Sequence, residues 1–190
     1  MGSALRMSAE AKEVPPWEED VALFLRDAGR VLVLGVGNEV RGDDGAGTHA
    51  ARLLQRAAGR ARLRAPCLAV PGGAAPENFT GQITKFEPTH VILVDALAWA
   101  APAGAISTVD PAALGGVSLS THSMPLGVLR DYLYKSGYSR LLVLGVQPST
   151  IELGRGMSRE VKKSVRRIVR IVLEGLAPGA DPPVISRQFR

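Results

Sequence analysis

The chain has 190 residues, 46% of them hydrophobic and 22% charged, with a formal net charge of +5. That length and balance suit one globular domain with a sizeable core. No apolar run approaches membrane-spanning length, and a lone cysteine, Cys67, excludes an internal disulfide. With no apolar signal core near the N-terminus, the chain reads as cytoplasmic.

Residues 1–15 read as disordered or as an expression scar, 16–176 as a single α/β domain, and the proline-rich residues 177–190 as a C-terminal tail. Val21, Phe24 and Leu25 fall at i, i+3 and i+4, which predicts a short helix within 17–28. Val31 to Leu34 is an apolar run bounded by glycine, the pattern of a buried strand. Gly35 and Gly37 allow a sharp turn or a close approach, and the adjacent carboxylates Asp43 and Asp44 follow. Ala50, Leu53, Leu54, Ala57 and Ala58 then repeat at helical spacing up to Gly59.

Beyond it the pattern predicts a strand over 63–70, a short helix over 76–86 and a strand over 90–94. A shorter, edge-like strand follows over 105–109. Ser123 reads as the N-cap of a helix running to Tyr134, with Gly137 as its stop, and 141–146 is another buried strand. Cys67 lies in an apolar strand-like run, where a small buried residue is expected rather than a nucleophile. Near the C-terminus, Val161, Val165, Ile168, Val169, Val172, Leu173 and Leu176 form an apolar helical stripe. Lys162, Lys163, Arg166, Arg167 and Arg170 are its wet face. No aromatic residues interleave them for base stacking, so the basic charge does not by itself indicate nucleic acid. Strands alternating with helices predict an α/β sandwich with a mostly parallel sheet.

The glycine loop is neither of the familiar nucleotide-binding loops. A dinucleotide fingerprint needs glycine where Val40 stands, and a P-loop needs a lysine that 31–59 lacks. One carboxylate at a helix start satisfies amides and the dipole. A second beside it raises the electrostatic cost, which suits an arriving cation or proton.

The run Gly35 to Gly47, G-x-G-N-x-x-x-G-D-D-G-x-G, resembles the opening signature of the hydrogenase maturation endopeptidases. The resemblance continues in Gly72-Gly73 with Ala75-Pro76-Glu77-Asn78, then Val94-Asp95-Ala96 and Thr121-His122-Ser123-Met124-Pro125-Leu126. It ends with Leu144-Gly145-Val146-Gln147-Pro148, so that it covers most of 30–173. The later blocks are most similar to the branch serving formate-hydrogenlyase-type (hydrogenase 3) enzymes. The family implies a three-layer α/β/α sandwich with a mostly parallel twisted sheet, phosphorylase/hydrolase-like. It implies an endopeptidase, aspartic-type by family grouping, that removes the C-terminal extension of a nickel-iron hydrogenase large-subunit precursor. Nickel would arrive with that substrate rather than reside in the enzyme. Carried over by position, the nickel-contacting and catalytic residues are Asp44, Asp95 and His122. Apart from the resemblance, the chain is expected to be a monomer with no nucleic-acid or membrane partner.

From the residues alone, Asp44, Asp95 and His122 each lie where a strand-end loop is predicted, a set that suits a borderline divalent ion. Ordinary alternatives exist: Asp95 as a helix cap, His122 bonded to a loop carbonyl, and Asp43 as a brace of the glycine turn, and spacing does not decide among them. H-E-x-x-H and G-x-S-x-G are absent, and His49 and His90 read as structural. One departure from the family stands out: it commonly has Asp-Gly-Gly after the second strand, where this chain has Pro71-Gly72-Gly73. Two other readings share parts of the pattern. Gly35-Val36-Gly37-Asn38 also resembles peptidyl-tRNA hydrolases, whose loop carries histidine and asparagine where Asp43 and Asp44 stand here. A nickel-binding carrier without hydrolysis would need only the ligand set.

Overall fold

A computed structural model describes residues 17–115, 126–138 and 140–180. In chain order the elements are α1 (Trp17–Leu25), β1 (Val31–Val36), α2 (Ala46–Ala58), β2 (Cys67–Gly73) and α3 (Thr80–Phe86). β3 (His90–Ala96), β4 (Ile106–Val109), α4 (Leu126–Lys135), β5 (Leu141–Val146) and α5 (Arg159–Gly175) complete them. 3-10 turns at Gly42–Gly45 and Pro76–Phe79 lead into α2 and α3.

The sheet order is β2-β1-β3-β5-β4, parallel except for β4, which pairs antiparallel to β5 at one edge. Along β1, Val31 and Val33 face a core shared with α1, α2 and α5, while Leu32, Leu34 and Val36 face a second core holding Ile83 of α3 and Leu129 and Leu133 of α4. A strand buried on both faces must be apolar at every position, which is why these strands read as unbroken apolar runs. The result is the three-layer α/β/α sandwich expected from the sequence.

The elements follow the predicted order with shifted ends. β3 extends through Asp95, which therefore stands inside the strand rather than after it. β2 begins four residues later than expected and runs through Pro71. Its phase explains the proline. Val31 N donates to Pro66 O at 2.9 Å, so in the parallel ladder the N–H positions of Cys67, Ala69 and Pro71 turn away from β1. On an edge strand a residue without an N–H forfeits no ladder bond there. Residues 123–125, where a helix start and N-cap were expected, lie outside the described residues; α4 is described from Leu126.

α5 begins at the N-cap Ser158, whose Oγ accepts from Val161 N at 3.3 Å. Its apolar stripe is buried except for half-buried Leu173, and its five cations are exposed, as predicted. Arg167 pairs with Glu18, and its guanidinium lies 5.5 Å from the Trp17 ring centre. No helix among the described residues is long and apolar enough to cross a membrane.

At the foot of the sheet, His90 is buried beside Phe24, whose ring meets it edge-on at 5.1 Å. Arg140 Nη1 stands 2.7 Å and Asp27 Oδ1 3.3 Å from Nε2, and Thr89 Oγ1 stands 2.9 Å from Nδ1. Burial, then the Arg140 charge, lowers the proton affinity of His90; burial likewise lowers that of half-buried His49. Both folded-state pKa values lie below the unfolded value of about 6.5, so the unfolded chain binds more protons just below that pH. Stability is full above about pH 6.5 and falls as pH drops toward the folded pKa values, each histidine contributing at most about 1.4 kcal/mol per pH unit. His90→Gln should flatten that decline in denaturant-melt free energies between pH 7 and 5, leaving the His49 share. A slope unchanged by the substitution would show that His90 does not titrate this way.

Candidate functional site

In an open α/β sheet, ligands bind at the carboxyl ends of strands where the strand order reverses. Here β1 is followed by β2 on one side and β3 on the other, so the switch point falls between β1 and β3. The loop after β1 carries Asp43 and Asp44, and the last turn of β3 carries Asp95. All three carboxylates are buried, at 0%, 2% and 0% exposure.

Backbone contact brings these elements together. A Cβ on Gly47, in the first turn of α2, would collide with the carbonyl oxygens of Val94 and Val36. The helix start therefore rests directly on β1 and β3, a distance only glycine permits. Gly37, at φ 137°, turns the chain out of β1, where a side chain would strike the carbonyl of Asp44. Thr48 Oγ1 donates to Gly37 O at 2.7 Å and pins the turn to α2.

The two adjacent aspartates have different surroundings. Asp43 accepts three backbone N–H bonds from the segment after β5: Ser149 at 2.8 Å and Thr150 at 3.2 Å on Oδ2, and Ser158 at 2.6 Å on Oδ1. Its own N–H donates to Thr150 O at 2.9 Å, and Gly42 N donates to Arg155 O at 3.1 Å. Asp43 is thus a clamp between two loops and the N-cap of α5. Asp44 faces inward beside the glycine turn, its Oδ2 accepting from Asn38 N at 3.1 Å. Asp95 Oδ1 accepts from Ala96 N at 2.8 Å. The structure therefore brings Asp44 and Asp95 to one edge of the sheet. His122 lies outside the described residues. Among the described residues, no three His, Cys, Asp or Glu side chains gather as a metal site.

The family of HycI hydrogenase maturation proteases matches residues 49–175. The hydrogenase 3 maturation protease of Escherichia coli K12 is 33% identical over 138 residues, spanning 72% of this chain and 85% of the relative. The chain belongs to the hydrogenase maturation protease family. The crystal structure of the nickel-iron hydrogenase maturation protease HycI from Thermococcus kodakarensis KOD1 superposes with a TM-score of 0.72 at 29% identity, covering 85% of this chain and 99% of that one. The solution structure of the endopeptidase HycI from Escherichia coli gives 0.64 at 30% identity, covering 84% and 99%.

Within this protease, Asp43 and buried Gln147 hold the rim of the site. The sequence marked Asp43 as half of an acidic pair but not its bonds to the loop after β5. Gln147 Oε1 accepts from Trp99 N at 2.8 Å and Ala101 N at 3.3 Å, tying the loop after β3 to the end of β5. Its place directly after an apolar strand, within the block Leu144 to Pro148, was the signal for it, and its role was not read from the sequence. Cys67 is half-buried, and burial pushes its thiol up to about 11, which makes it a poor nucleophile. His49 and His90 stand on α2 and at the start of β3, outside the strand-end loops that carry the aspartates.

The two aspartates should part in mutagenesis. Asp43→Ala strands three N–H groups and should cost roughly 2–4 kcal/mol of stability. Asp44→Asn keeps shape and volume and should change stability by about 1 kcal/mol or less. Urea melts of both variants test this; equal losses would remove the assigned division of labour.

Proposed function

We propose that this protease removes the C-terminal extension of a nickel-iron hydrogenase large-subunit precursor, and does so only after nickel has been inserted. The observation that carries the reading is the meeting of buried Asp44 and Asp95 at the strand-order switch point of a maturation-protease fold. Two buried carboxylates at one edge favour a cation between them. With His122 as a third donor, the set offers two oxygens and one nitrogen, suited to a borderline divalent ion. Three side chains leave a coordination sphere open, so the ion's remaining ligands come from the precursor that carries it.

On this reading Asp44, Asp95 and His122 dock the nickel of the cargo, which fixes the scissile bond against the site. Asp43 holds the loop that presents Asp44. Hydrolysis adds water across the peptide bond, hydroxyl to the carbonyl carbon and hydrogen to the departing nitrogen. A bound divalent ion assists by lowering the pKa of water or polarising the carbonyl. The partner is the large-subunit precursor, met in the cytoplasm by a single copy of the protease.

The test is incubation with nickel-loaded and nickel-free precursor. Only loaded precursor should lose its tail, and Asp44→Asn, Asp95→Asn and His122→Ala should each slow cleavage by at least roughly 100-fold. Calorimetry of the isolated protein with Ni²⁺ should show weak binding. Cleavage of nickel-free precursor would overturn nickel sensing. Tight nickel binding without cleavage would make the protein a carrier, and release of peptide from peptidyl-tRNA would assign it to that other class.

A further inference from the structure

Five large hydrophobic side chains are exposed among the described residues: Val40, Trp99, Val128, Tyr134 and Leu153. Three of them lie in loops that follow strands of the sheet. Val40 lies in the loop after β1, Trp99 in the loop after β3 and Leu153 in the loop after β5. These are the strand-end loops that frame Asp44 and Asp95. The other two, Val128 and Tyr134, are on α4.

Leu153 is 73% exposed and Val40 59%, the two highest values of the five. Neither loop is free to fold its side chain inward. Gly154 N donates to Val40 O at 2.8 Å, and Gly42 N donates to Arg155 O at 3.1 Å. Ser149 and Thr150 before Leu153, and Ser158 after it, all donate to Asp43. Leu153 is therefore held in water at the tip of a segment fixed at both ends. Trp99 is 38% exposed, its N–H anchored on Gln147 and its ring against Gly145 at the end of β5. Apolar side chains held out on ordered backbone are what an interface anchor requires, because little ordering cost remains on binding.

We infer that Val40, Leu153 and Trp99 form an apolar collar that docks the folded body of the precursor, so that recognition includes surface outside the cleaved segment. This rests on the proposed reading of the substrate. A tail cut at Asp44 and Asp95 must pass between these loops, which brings the protein body that bears it against the rim. Its three residues stand on the loops that follow β1, β3 and β5. The complementary surface is apolar, encircling the root of the tail.

The experiment measures binding of a tail-less large subunit, from the same organism as the protease, to wild-type protein and to the Val40→Ser, Leu153→Ser and Tyr134→Ser variants. Leu153→Ser should weaken binding roughly 10-fold or more, since it removes one buried leucine from the interface, and Val40→Ser somewhat less. Tyr134→Ser should bind as wild type does. Melting temperatures should match wild type for Leu153→Ser, because an exposed loop tip contributes little to stability. Cleavage of nickel-loaded precursor by Leu153→Ser should show the same roughly 10-fold loss in kcat/KM. Cleavage by wild type with binding unchanged in both Leu153→Ser and Val40→Ser would overturn the collar alone. Binding that depends on Leu153 without cleavage by wild type would overturn the protease reading and keep the collar. Concentration-dependent dimers abolished by Leu153→Ser would give the collar to a second copy of the chain and overturn its assignment to the precursor.

Discussion

Three backbone N–H groups, from Ser149, Thr150 and Ser158, converge on the buried carboxylate of Asp43. In the sheet, β1 and β5 are not neighbours; β3 lies between them. A bond from the β1 loop to the β5 loop therefore passes over the carboxyl end of β3, where Asp95 sits. No ladder bond could join those loops, so the carboxylate does what the sheet cannot. An ionised acceptor makes stronger hydrogen bonds than a neutral one, and three of them offset the cost of burying the charge. With the clamp in place, the turn bearing Asp44 cannot drift from the strand bearing Asp95.

Below the clamp, distance is set by backbone rather than by side chains. Gly35, in β1, and Gly47, in α2, face one another so closely that a Cβ on either would strike main-chain oxygen. The first turn of α2 consequently sits lower on the sheet than an ordinary helix would. Its positive end then approaches the strand ends where the aspartates gather, and a carboxylate near a helix N-terminus is favoured by the dipole. Packing, turn geometry and electrostatics thus act on the same few residues. That coincidence is why the stretch 35–47 carries two functions at once, folding the β1-α2 junction and presenting a carboxylate.

Much of this was legible beforehand, and the reasons differ by element. β1, β3 and β5 are buried on both faces, so their unbroken apolar runs could be read directly. α5 announced itself through a strict apolar stripe and an opposing row of cations. β2 was harder, because its edge position tolerates Pro71 and its ladder partner supplies the order that its sequence lacks. At the site, the acidic pair was visible but its division of labour was not. Which carboxylate clamps depends on N–H groups more than 100 residues away, at Ser149, Thr150 and Ser158. Periodicity reports neighbours along an element and is blind to such long-range bonds. The role of Gln147 was missed for the same reason, since it is defined by Trp99 and Ala101 on another loop.

The clamp also bears on how a site of this kind could discriminate loaded from empty cargo. Asp44 and Asp95 are buried side chains on ordered backbone, so their positions are fixed before any ligand arrives. On the proposed reading, a rigid pair of carboxylates would gain little by closing around a small ion alone, because two oxygens and one imidazole would leave most of its coordination to water. The same pair meets an ion already held by a protein on different terms. On the proposed reading the cargo would supply the missing ligands, and the ordering cost on the enzyme side has been met by Asp43 and Gln147 during folding. Affinity would then come from completing a coordination sphere that neither partner fills alone. Discrimination follows from that incompleteness, and a tighter resident metal site would weaken it.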